Sequence, residues 1–84
     1  MVYKVAFDPV AEKEFLGLEK TVQKLATSKI LDLQNGNFSN DKSLKGKHKG
    51  KHRKRAGDYR IIYLKEGKLL LITVIRIGHR KNIY

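Results

Sequence analysis

The feature that most restricts the fold lies in the C-terminal part of the chain, where "HRKRAGDYRIIYLKEGKLLLITVIRIGH" reads as three extended runs separated by two turn signals. Gly57 with Asp58 marks the first turn, and Glu66, Gly67 and Lys68 mark the second, which predicts two β-hairpins in series. Side chains alternate along a strand. Arg53 and Arg55 therefore point to one face, while His52, Lys54 and Ala56 point to the other. The two guanidiniums lie about 7 Å apart on an open face, a spacing that lets them clamp neighbouring phosphates bidentately. A charged edge that resists aggregation is the other reading of the same residues. With His52 and Lys54 on the side to be covered, this strand is expected at the sheet edge, where long stems reach water. Arg60 follows one residue past the turn, on the face that Tyr59 and Ile61 avoid. It either pairs with an acid such as Asp58 or joins Arg53 and Arg55 in a cross-strand cluster. The run "LLLITVI" is apolar on both faces, as burial at the centre of a sheet would require.

Upstream the spacing changes. "VYKVAF" alternates, with Tyr3, Val5 and Phe7 on one face. Asp8 and Pro9 then start a helix, since the aspartate caps free amides and proline at the first helical position loses no hydrogen bond. Ala11, Phe15 and Leu18 continue a helical stripe that Gly17 ends near residues 18–20. A second helix is predicted from Val22, Leu25, Ala26, Lys29, Ile30 and Leu33, with Asn35 and Gly36 as its left-handed stop. The stretch "NFSNDKSLKGKHKGK" reads as a loop. The expected fold is α+β: an N-terminal strand, an antiparallel helical hairpin, then a three-stranded antiparallel meander, forming one sheet covered by helices. The 84 residues suffice for one modest core, so residues 1–84 are expected to be a single domain.

Absence of cysteine removes disulfides, thiolate metal sites and a cysteine nucleophile, and makes a reducing cytoplasm the simplest home. The N-terminus lacks the pattern of a secretory signal, and the longest apolar run is too short for a bilayer. Charge is the strongest global clue: 19 Lys and Arg against 8 Asp and Glu leave a net +11. The excess is concentrated. Residues 42–60 hold nine basic residues and one acid, whereas residues 1–41 hold five basic and six acidic ones. Such a field fits nucleic acid better than a membrane, which would call for bulky apolar residues beside the cations. Lys45, Lys47, Lys49, Lys51, Arg53, Lys54, Arg55 and Lys81 are the candidate RNA contacts. The ending "RIGHRKNIY" adds Arg76, His79, Arg80 and Tyr84. Cleaving RNA through its own 2′-hydroxyl needs a proton acceptor, a proton donor for the leaving 5′-oxygen, and cations for the phosphorane. Histidine, arginine and tyrosine supply these functions. The basic region offers only Asp58 to magnesium, and the spacing of His48, His52 and His79 is not that of a zinc site, so no metal or other cofactor is expected.

Taken together, the short strand, the helical hairpin, "LKG", "HRKRAGDYRIIY" and "VIRIGHRKNIY" resemble the RelE toxins of toxin-antitoxin modules, within the RelE/ParE superfamily. The resemblance implies a compact α+β toxin that enters the ribosomal A site and cuts mRNA there without a metal. It implies binding to ribosomal RNA and mRNA, inhibition by a RelB-like antitoxin, and operator DNA binding only through the antitoxin complex. It assigns catalysis to Arg60, Arg80 and Tyr84, with His79 as an added candidate base. His52 and Lys54 occupy positions usually apolar in the family, and many relatives continue past the position of Tyr84 into a C-terminal helix. Three alternatives stay open: a ParE-like inhibitor of DNA gyrase, a basic RNA-binding module without catalysis, and an inactive relative of the family.

Overall fold

Asp8 turns the chain from strand to helix as its neighbours predict. A computed structural model describes residues 2–46 and 50–82. In it, strand β1 (Lys4–Phe7) leads into helix α1 (Pro9–Leu16), where Asp8 Oδ1 accepts the Val10 N–H at 3.1 Å. Helix α2 (Lys20–Gln34) follows after the short link 17–19, and Gln23 Nε2 donates to the Phe15 carbonyl at 3.0 Å, satisfying a group at the end of α1. Gly36, at φ 78°, ends α2. Its N–H bonds the Leu33 carbonyl and the Asn37 N–H bonds the Asp32 carbonyl, the two hydrogen bonds of a Schellman stop.

The remaining strands are β2 (Lys42–Ser43), β3 (Lys51–Ala56), β4 (Tyr59–Glu66) and β5 (Leu71–His79), in the sheet order β1-β5-β4-β3-β2. The β3–β4–β5 meander is antiparallel as expected. β1 joins it parallel to β5, with Lys4 beside Leu71 and Phe7 beside Val74. Gly57 takes φ 62° in the two-residue turn between β3 and β4, a conformation that costs a residue with a Cβ. The second turn departs from expectation. Gly67–Leu69 form a 3-10 turn, Leu70 is left-handed at φ 50°, and β5 begins at Leu71.

Both helices cover one sheet face. Ala11 and Ala26 pack with Ala56, Ile61, Val74 and Ile77, and the small side chains allow close approach of helix and sheet. A second cluster joins Leu33, Tyr63 and Ile72. Between Val74 and Arg76 the β4–β5 register shifts, leaving Ile75 as an extra residue. This bulge changes the parity of β5, so that Ile72, Val74 and Ile77 all turn inward. The apolar "LLLITVI" run is thus explained by a central strand containing a bulge.

Two expectations for the basic strand are corrected. β3 is not at the edge, because Lys42 and Ser43 form a strand opposite Arg53 and His52 where a loop was expected. Lys54, counted as an RNA contact, is 4% exposed and pairs with Asp41. Alternation had turned it inward, and the ion pair is what makes that position tolerable for a lysine. No helix among the described residues is long and apolar enough to cross a membrane.

Candidate nucleic-acid interface

The sheet face away from the helices collects the cations that the alternation placed together. Arg55 lies directly opposite Arg60 across the β3–β4 ladder, and Arg53 lies opposite Ile62. Ile62 is only 3% exposed although it faces away from the main core, with Arg53 and Arg76 as its cross-strand neighbours. Lys51 shares the Arg53 and Arg55 side at the start of β3. Gly78 stands opposite Arg60, so the β5 position paired with that arginine carries no side chain. Arg80 and Lys81 are exposed just past β5, where the Arg80 N–H bonds the Asp58 carbonyl at 2.9 Å. The C-terminal cations are therefore tied to the β3–β4 turn. Lys45 is exposed in the segment between β2 and β3. Lys47, Lys49 and Tyr84 lie outside the described residues.

His79 is placed differently from the arginines. It pairs with Tyr59, whose ring meets it edge-on at 5.5 Å, on the side opposite Arg60. Its Nδ1 accepts the Lys81 N–H at 3.2 Å, which leaves the proton of a neutral ring on Nε2. Arg76 is engaged elsewhere. Its Nη2 reaches Glu14 Oε2 at 3.0 Å and its Nε lies 3.1 Å from both carboxylate oxygens, while the Ile77 N–H donates to Oε1 at 3.0 Å. Glu14 thus occupies the stretch of the β5 edge that β1 does not reach. Burial pushes the Glu14 carboxyl up, but the Arg76 hydrogen bond, the Ile77 amide and the Arg76 charge together hold it below its ordinary value. The same hydrogen bond raises the Arg76 guanidinium against the opposing effect of burial.

Beneath the basic face lies a polar and aromatic cluster that sequence reasoning missed. Lys54 Nζ bonds Asp41 Oδ1 at 2.9 Å, and the Tyr63 hydroxyl donates to Asp41 Oδ2 at 2.5 Å. Burial, followed by the Asp41 carboxylate, pushes the Tyr63 phenol well above its usual range. His52 stacks on Tyr63 at 5.4 Å, with its Nδ1 3.4 Å from Ser43 Oγ. Its imidazole is lowered, first by burial and then by Lys65, with Asp41 opposing. Asp41 was legible only as a loop acid, because a two-residue strand carries no periodicity to reveal its neighbours. Among the described residues, no three His, Asp or Glu side chains converge as metal ligands.

This geometry defines a small α+β protein with an arginine-rich sheet face. The model of the ParE toxin of type II toxin-antitoxin systems (parDE) matches residues 5–84. The chain belongs to this toxin family, within the RelE/ParE superfamily that its sequence resembles. Solved structures share the fold. The toxin in the RelB-RelE antitoxin-toxin complex from Methanococcus jannaschii is 29% identical, with 94% of each chain covered and a TM-score of 0.74. In the intact Escherichia coli RelBE complex the match is 26% identical, covers 92% of this chain and 95% of the other, and has a TM-score of 0.74. The archaeal RelE-RelB complex from Pyrococcus horikoshii OT3 gives 23% identity, 99% and 100% coverage, and a TM-score of 0.81. No curated protein sequence matches the chain.

Proposed function

We propose that this toxin is a ribosome-dependent, metal-independent endoribonuclease that cuts mRNA in the A site and is held inactive by a RelB-like antitoxin. The observation that carries the reading is the direct opposition of Arg55 and Arg60 on the sheet face away from the helices. Two guanidiniums so placed can donate side by side to the oxygens of one phosphate. In the reaction, the 2′-hydroxyl oxygen attacks the adjacent phosphorus and the bond to the 5′-oxygen breaks. The product ends are a cyclic phosphate and a free 5′-hydroxyl. Arg60 and Arg80 offset the charge that builds on the phosphorane. Tyr84, by resemblance, orients the mRNA and takes part in proton transfer. His79 has Nε2 for a proton role, since Nδ1 is held by the Lys81 amide. The RelE relatives from Methanococcus jannaschii and Escherichia coli were solved in complex with their antitoxins, which supports a cognate antitoxin for this chain.

A second reading is favoured by the family model itself, which is that of a ParE toxin: inhibition of DNA gyrase with no RNA cleavage. Primer extension on a defined mRNA, with and without translating ribosomes, separates the two. Cuts inside the A-site codon that need ribosomes and weaken in Arg60→Ala and Arg80→Ala are expected. Intact mRNA from folded, growth-arresting protein, together with lost gyrase supercoiling, would give the function to the second reading.

A further inference from the structure

The basic face does not stop at Arg53 and Arg55. It continues onto β2, beyond what the cleavage reading requires. The ladder sets Lys42 opposite Arg53 and Ser43 opposite His52. Carried back along the chain, the same register sets Asp41 beside Lys54 and Asn40 beside Arg55. The contacts agree: Asp41 bonds Lys54, and Asn40, Lys42, Arg53 and Arg55 line one cleft of about 220 Å³. Alternation sends Asp41 and Lys54 inward, where each side chain is 5% exposed, and the four cleft residues outward.

The composition of the cleft is one-sided. Three cations and an amide line it, with no carboxylate. Among the described residues, Lys42, Arg53 and Arg55 make neither a side-chain hydrogen bond nor an ion pair. Lys42 and Arg53 are cations held directly opposite one another, which costs stability in the empty protein. Every side chain lining the cleft can donate, and arginine and lysine can only donate. The ligand that matches such a set is a compact anion rich in acceptors, with phosphate the closest chemistry. The β2 side of the cleft, Asn40 and Lys42, lies two strands away from Arg60, whereas Arg55 on β3 stands directly opposite it. At about 4.8 Å per strand, Lys42 is on the order of 10 Å from Arg60, too far for one phosphate to touch both.

We propose that Asn40 and Lys42, together with Arg53 and Arg55, form a second phosphate subsite for the backbone of single-stranded RNA, next to the phosphate that meets Arg60 and joined to it at Arg55, and that the Asp41–Lys54 pair positions it. The proposal rests on the functional reading above. Asp41 sits between Asn40 and Lys42, and Lys54 sits between Arg53 and Arg55. One buried ion pair therefore fixes both backbone segments from which the cleft side chains project.

The test is equilibrium binding of a short fluorescent single-stranded RNA across a series of salt concentrations, beside ribosome-dependent cleavage. Each phosphate contact contributes about 0.7 to the slope of log affinity against log salt. Lys42→Gln is expected to lower the slope by about 0.7, whereas Lys68→Gln, the same charge change at an exposed residue in the 3-10 turn, leaves it unchanged. The double variant Asp41→Asn/Lys54→Met keeps the net charge and touches no cleft side chain, yet should lose slope as Lys42→Gln does. Equal slopes for Lys42→Gln and Lys68→Gln would overturn the subsite while leaving the cleavage reading in place. A double variant with the wild-type slope would overturn the positioning role. Wild-type protein that neither binds RNA in a salt-dependent way nor cleaves it overturns the functional reading and the subsite together. Competition by polyglutamate as strong as by RNA would reassign the cleft to an acidic protein and overturn the RNA assignment.

Discussion

Replacing Lys54 with methionine tests what holds the basic strand to the body of the protein. Methionine keeps much of the aliphatic stem and removes the ammonium, so Asp41 stays buried with the Tyr63 hydroxyl as its remaining side-chain partner. Both charged side chains are 5% exposed, which puts the pair well inside the regime where breaking one partner costs about 3–5 kcal/mol. A domain of this size has a total stability of roughly 4–13 kcal/mol. Lys54→Met should therefore consume a large share of it. At about 4–8 °C per kcal/mol, the melting temperature should fall by roughly 12 °C or more. The assay is thermal and urea unfolding followed by circular dichroism. Asp41→Asn/Lys54→Met removes both charges and leaves an amide oxygen for the Tyr63 hydroxyl. It should return to within about 1 kcal/mol of wild type, because replacing a buried pair outright is often neutral. A single variant within about 1 kcal/mol of wild type, or a double variant as unstable as the single, would refute the reasoning.

Two further expectations concern the turn and the β5 edge. Gly57→Ala should destabilise by about 1–2 kcal/mol, because the residue is at φ 62° and an added Cβ would lie 3.1 Å from Leu25 Cδ2; urea melts check it. Glu14 has its carboxyl held below about 4.5 in the folded chain, so its contribution is present above that value and disappears as pH falls through the folded-state value. Glu14→Gln should accordingly flatten the acid side of the stability profile, measured by unfolding between neutral pH and pH 3, and an unchanged acid limb would sink that assignment.

The parts of the fold that could be read from sequence are those fixed by local chemistry. Asp8 with Pro9, Asn35 with Gly36 and Gly57 with Asp58 each determine a turn or a cap within a few residues, and each appears where expected. What escaped was fixed at a distance. Lys54 meets Asp41 from thirteen positions away, and Arg76 meets Glu14 from sixty-two. Neither separation leaves a periodic trace. β2 is shorter than one alternation, and the Ile75 bulge hides inside a run in which every candidate position is apolar or Thr. For the candidate site, the period of two placed Arg53, Arg55 and Arg60 together correctly. The same period turned Lys54 inward, and for that residue alternation was a better guide than charge.

The parallel pairing of β1 with β5 has a consequence for the order of events in folding. Lys4 and Leu71 stand far apart in sequence, so their contact closes a loop that takes in most of the described chain. The β3–β4–β5 meander is built from neighbours in sequence and can assemble at far lower entropic cost. During synthesis from the N-terminus, β1 and both helices emerge before the strand on which β1 must dock has been made. The local β3–β4–β5 meander is therefore the natural seed of the sheet, and β1, though it precedes those strands in the chain, joins after them.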